Sequence, residues 1–153
     1  MTLTNLIAAS LIAAMTLPVG LAAAQTHDHA AGGELVLVLN EGHKWQGDES
    51  MRKGMDGIRS AIATRQTAIH DGTLSAAEYD ALAGEVQSQV DFMVENCVLE
   101  PAVDEQLHAV LGQVLQGVSD IENDKRPEGA VLIVEALNAY GDHFEHPGWQ
   151  PVE

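Results

Sequence analysis

The stretch Ser75 to Pro101, SAAEYDALAGEVQSQVDFMVENCVLEP, decides the fold. It opens with Ser75-Ala-Ala-Glu78. In that pattern the serine side chain takes the amide three residues on while the glutamate reaches back, which marks a helix start. Tyr79, Leu82, Val86, Val90, Met93 and Cys97 then recur at intervals of three and four, so they share one stripe of a helix. Pro101 disfavours helical backbone at Glu100 and sets the boundary. A long helix with one apolar stripe must bury it against similar elements.

Three further segments supply them. The one before follows Asp48, an N-cap, with Glu49 in its first turn. It carries Met51, Met55, Ile58, Ile62 and Ile69 and ends at Asp71-Gly72. The third carries Val103, Leu107, Leu111, Val114, Val118 and Ile121, up to the turn Asn123-Asp-Lys-Arg-Pro127. The fourth carries Ala130, Val134, Leu137, Gly141 and Phe144 and stops at Pro147-Gly148. Each is about 20 residues, roughly 30 Å long. Equal helices on short connections favour antiparallel neighbours. The expected fold is therefore all-α, an antiparallel up-down-up-down four-helix bundle over residues 48–153 with a short N-terminal extended segment. That segment is Glu34-Leu-Val-Leu-Val-Leu39, closed by the turn Asn40-Glu41-Gly42. With no second strand in the chain, it is expected to lie along the helices or to pair between subunits in a homodimer.

Residues 1–24 read as a signal peptide. Leu6 to Ala24 is apolar and uncharged and ends in Ala22-Ala23-Ala24, a small-x-small cleavage pattern. No Lys or Arg occurs before Lys44, which departs from the usual positive start; an uncleaved anchor is the competing reading. Pro18 and Gly20 interrupt the run and argue against a full span. Residues 25–47 form a polar, His/Gly-containing arm followed by the extended segment. A periplasmic location follows, with no membrane attachment after cleavage.

The formal net charge is −16, all of it beyond residue 24. Nucleic acid is excluded as a partner, because phosphate contacts need Lys and Arg. Cations and basic protein patches are favoured. A single cysteine, Cys97, cannot form an internal disulfide.

In the expected bundle, the start of helix one, the end of helix two, the start of helix three and the end of helix four share one end. Four of the chain's seven histidines fall there, His43, His108, His143 and His146, with Cys97, Met51, Met55 and Met93. At ~100° per residue, Cys97, Met51 and Met93 point inward, while His108 and His143 lie on flanks. His146 faces away unless the last turn unwinds before Pro147. Thiolate, thioether and imidazole suit copper(I), and thiolate with imidazole suits zinc. The favoured function is a periplasmic copper-binding protein for storage, sensing or delivery, with Cys97, His108, His43, His143, His146, Met51 and Met93 as ligands. A second set, Gln25, Thr26 and His27, would offer an amine, two amides and an imidazole to Cu(II) or Ni(II) if cleavage follows Ala24.

Two alternatives stand beside it. A Met early in helix one and His143 late in helix four could hold haem b non-covalently in an electron carrier; there is no Cys-x-x-Cys-His for covalent attachment. The other is a cofactor-free structural or interaction protein. In it Trp45, Trp149 and the Leu35-to-Leu39 segment form a surface for a periplasmic protein partner. No nucleophile elbow, oxyanion loop or phosphate-binding glycine loop is present, so an enzyme is not expected.

The run Glu34 to Trp45, with Met51-Arg-Lys-Gly-Met55, Ile58-Arg59, Ala136 to Gly141 and His146-Pro-Gly-Trp-Gln150, resembles small exported helical proteins of proteobacteria. The resemblance covers the whole mature chain. It implies a periplasmic helical bundle and transfers no activity and no functional residues. The Met/His layout is also loosely similar to that of b-type cytochrome four-helix bundles, with Met51 or Met55 and His143 in the ligand places.

Overall fold

The computed structural model describes residues 35–153, and their regular structure is almost entirely helical. The signal segment and the Gln25-Thr26-His27 set lie outside the described residues. The elements are β1 (Trp45–Gln46), α1 (Glu49–Ala63), α2 (Gln66–His70), α3 (Ala76–Asn96), α4 (Pro101–Glu122), α5 (Arg126–His143) and β2 (Phe144–Glu145). The all-α expectation holds, with five helices rather than four among the described residues. No described helix is long and apolar enough to cross a membrane.

The local signals act as expected. Asp48 Oδ1 accepts from the Met51 amide at 2.7 Å and starts α1. Ser75 and Glu78 exchange side-chain and backbone bonds in a full capping box at α3. Asp71 and Gly72 form the turn before it, Gly72 at φ +63°.

The segment expected as one helix from Asp48 to Asp71 is broken. Ala61 O accepts from Thr64 Oγ1 at 3.1 Å and from Arg65 Nη1 at 2.9 Å. The Arg65 amide turns instead to Ile62 O, and its guanidinium is forked onto Glu85 of α3. Side chains thus occupy the carbonyl that the helical ladder would use, and the chain restarts as α2.

The core is built from the stripes of α1, α3 and α4 as read, with Met51, Met55, Ile58, Ile62, Leu82, Val86, Val114 and Ile121 enclosed. On α5 the buried face is Ala130, Ile133, Ala136, Leu137 and Tyr140, and Val134 is only partly buried. The main helix–helix contacts are α1 with α3, α3 with α4, α4 with α5, and α1 with α5. The tightest approach joins α4 to α5. A Cβ on Gly117 would fall 2.5 Å from Gly129 O, and one on Gly129 would fall 2.8 Å from Ile121 Cγ1. Only glycine lets the two backbones meet this closely.

After α5 the chain reverses through His146-Pro147-Gly148-Trp149, with Gly148 at φ +85° and the Trp149 amide donating to His146 O at 3.0 Å. The returning tail is fastened at several points. Arg59 Nε donates to Gln150 O at 2.6 Å. Asn138 takes the Val152 amide at 3.0 Å and donates to the Val152 carbonyl at 2.8 Å. Val152 is buried.

Candidate functional site

One end of the molecule is assembled around Asp48. Its Oδ1 caps α1, and its Oδ2 accepts from the Val98 amide just past α3 at 2.7 Å. β1 pairs in parallel with β2, Trp45 opposite Phe144 and Gln46 opposite Glu145, which joins the entry to α1 to the exit from α5. Lys44 Nζ donates to Gly141 O at 2.6 Å across the same junction. These contacts bring the start of α1, the end of α3 and the end of α5 together.

The side chains do not follow the backbone into a ligand set. Met51 and Met93 are enclosed, and their thioethers rest on glycine backbone. A Cβ at Gly47 would overlap the Met51 thioether, and one at Gly54 would lie 2.6 Å from the Met93 sulfur. They fill the seams where α1 meets its neighbours, as flexible core methionines do. Cys97 is the half-buried C-cap of α3. Burial, then the Asp48 charge, a hydrogen bond to Asp48 and the Asp104 charge push its thiol up to about 11. At neutral pH it is a protonated thiol and a poor nucleophile.

His108 does not join Cys97. Its side chain is 73% exposed, and Nδ1 donates back to Asp104 O at 2.9 Å, which holds the ring on its own helix. His143 is half-buried and bonds Ala139 O in the same way at 2.8 Å. His43 is exposed, its backbone paired both ways with Asn40 at 2.8 Å around Glu41 and Gly42. The expected gathering of Cys97, His108, His43, His143, His146, Met51 and Met93 is not seen as one cluster of side chains among the described residues. Among the described residues no three or more His, Cys, Asp or Glu side chains form a group able to hold a metal ion.

His146, expected to face away, is instead closely enclosed, its side chain only 6% exposed. The condition for this is met: α5 ends at His143, and β2 carries the chain back inward. Its Nε2 lies 3.3 Å from Asp56 Oδ2 and its Nδ1 2.9 Å from Tyr140 Oη. Nε2 stands at ion-pair distance from the carboxylate, and Nδ1 is hydrogen-bonded with the Tyr140 hydroxyl. Burial raises the Tyr140 pKa well above the ordinary tyrosine range, which keeps that hydroxyl a donor. Tyr140 stacks on Phe144 at 4.9 Å, and Trp149 covers both Tyr140 and His146 at 4.8 and 5.0 Å. Both nitrogens of this imidazole are engaged in fastening the tail. Tyr140 and Asp56 were missed as its partners; the turn signal Pro147-Gly148 could have pointed to the reversal.

What this end exposes is the extended segment Leu35 to Leu39. Leu35 and Leu37 are half-buried, and Val36 and Val38 are exposed, a period of two. Val38 anchors it: its amide donates to Gln106 Oε1 of α4 at 2.9 Å, and its carbonyl accepts from Trp45 Nε1 at 2.6 Å. The outward side chains stand open, Val36 at 74% and Val38 at 56%, and at the end of α3 so do Val94 and Val98. Elsewhere, between α2 and α5, a cleft of about 240 Å³ is lined mainly by Ile62, Ile69, Val131 and Val134, with His70 at its rim.

No protein-family model, curated protein or solved structure matches the chain.

Proposed function

We propose that this protein is an exported, periplasmic interaction protein. In this reading α1, α3, α4 and α5 form an antiparallel up-down-up-down four-helix bundle that displays Leu35–Leu39 to a protein partner. The observation that carries it is the segment itself, held by both backbone groups of Val38 while Val36 and Val38 face solvent. Contiguous apolar side chains left exposed by a well-packed core are characteristic of interaction sites. The ring of helix contacts, α1 to α3, α3 to α4, α4 to α5 and α5 back to α1, supports the bundle. α2 is then the detached last turn of the first helix. The apolar, uncharged run before Gln25 supports export. The sulfur and imidazole groups once read as copper ligands have partners within the fold or stand apart, which favours a protein over a metal as the ligand of this end.

A photo-crosslinking residue placed at Val36 or Val98 in cells making the full chain tests this reading. Discrete protein adducts are expected at those two positions and not at Val131, on the exposed face of α5. Equal labelling at all three, or none at Val36 and Val98, would overturn it.

A further inference from the structure

We infer that the partner of this end is an extended segment of alternating apolar and basic residues, which adds to Leu35–Leu39 as a β-strand. The inference rests on the interaction reading above and names the chemistry of the partner.

Strand geometry supplies the first part. In an extended chain the N–H and C=O of one residue point to one edge, and those of its neighbours point to the other. Both backbone groups of Val38 are turned toward Gln106 and Trp45. Those of Leu37 and Leu39 are then turned outward, and no backbone group of the described residues bonds them. An anchored extended segment whose outward edge is paired by no described residue can act as a template for a strand. Added strands gain affinity from main-chain bonds and selectivity from alternate side chains. On one face of the incoming strand, apolar side chains would extend the exposed row of Val36 and Val38.

Charge supplies the second part. Around the same end stand Glu41, Glu49, Glu95, Glu100, Asp104 and Glu105, exposed or half-exposed. The cations of this end are already engaged. Lys44 is on Gly141 O, Arg52 Nη1 donates to Gly47 O at 2.6 Å, and Lys53 Nζ sits 4.8 Å from the centre of the Phe92 ring. Those three cations are outnumbered by the six carboxylates of this end, so lysine or arginine on the other face of an incoming strand would be favoured. A second copy of this chain would bring the same carboxylates and another net −16, so a homodimer through this edge is disfavoured.

The test uses the mature chain and three fluorescent peptides: an alternating lysine–valine peptide, its glutamate–valine counterpart, and the lysine–valine peptide with alternate backbone amides methylated. Anisotropy is measured at low and high salt, on the parent, Leu39→Pro and Leu39→Ala. Leu39 is partly exposed, and proline there removes only an outward N–H. Expected is saturable binding of the lysine–valine peptide, weakened by salt, lowered about tenfold by amide methylation or Leu39→Pro, and changed less than about threefold by Leu39→Ala. Equal binding of the methylated peptide would overturn strand addition, and this holds even if Leu39→Pro fails to fold. Equal binding of the glutamate peptide would overturn the charge assignment. A dimer of the parent in sedimentation that Leu39→Pro abolishes would replace the basic partner with a second copy. No peptide binding, with adducts retained at Val36 and Val98, removes this inference and leaves the interaction reading; loss of the adducts removes both.

Discussion

Replacing Asp48 by alanine removes two bonds, the cap that starts α1 and the tie from α1 to the chain just past α3. The N-cap on the Met51 amide contributes about 1 kcal/mol. The carboxylate bond to the Val98 amide contributes about 1.5–3 kcal/mol, at the low end for a half-exposed group. Together the loss is about 2–3 kcal/mol, a fall in Tm of about 10 °C for a domain of this size. Asp48→Asn separates the contributions. It keeps an oxygen for the Met51 amide, but its NH₂ cannot accept from Val98, so about half the loss remains. Both variants also remove charge beside Cys97. Burial, the largest cause of its raised pKa, stays, while the Asp48 charge and hydrogen bond go, so the thiol drops from about 11 toward its ordinary value. The linked stability follows the same sign. A folded-state pKa raised to about 11 gives stability that is complete below the unfolded thiol's pKa and is lost as pH rises toward about 11. In Asp48→Asn that alkaline loss shrinks. Urea unfolding measures the first effect, and the pH profile of Cys97 alkylation in native protein measures the second. A stability of Asp48→Ala within about 0.5 kcal/mol of the parent, or an unmoved alkylation midpoint, would refute the junction.

Other parts of the structure make separate demands. Gly129→Ala should destabilise by about 2–3 kcal/mol in urea unfolding, because its Cβ would press on Ile121 and Gly117 O of α4; an exposed-glycine control, Gly84→Ala, should be neutral or stabilising. Asn138→Ala should cost about 1–2 kcal/mol and speed hydrogen exchange at Val152, since both bonds to that residue are lost. Cu(I) titrated against a competing chelator should give the same affinity for the parent and for Cys97→Ala/His108→Ala, because those side chains do not share a site; a large loss in the double variant would restore them as ligands.

The helix starts at Asp48 and Ser75 and the stripes of α1, α3 and α4 were legible because capping and periodicity are local. The break before α2 was not, since it depends on Arg65 reaching Glu85 on another helix. The α5 stripe was read one step off: Tyr140 was left out because its burial is completed by Phe144, His146 and Trp149 after the reversal. The meeting of helix ends was readable from their order. Side-chain destinations were not, because His108 and His143 turn back to carbonyls of their own helices and Cys97 turns to Asp48. Leu35–Leu39 was recognisable as extended, but its anchor, Gln106, lies 68 residues away and leaves no local trace.

Residue-resolved amide exchange along Leu35–Leu39, with and without the lysine–valine peptide, tests the central claim most directly. In the free protein Val38 should be protected while Leu37 and Leu39 exchange fast, and the peptide should slow Leu37 and Leu39 by about tenfold or more. Leu37 and Leu39 left fast under saturating peptide, or Val38 no slower than its neighbours in the free protein, would contradict it.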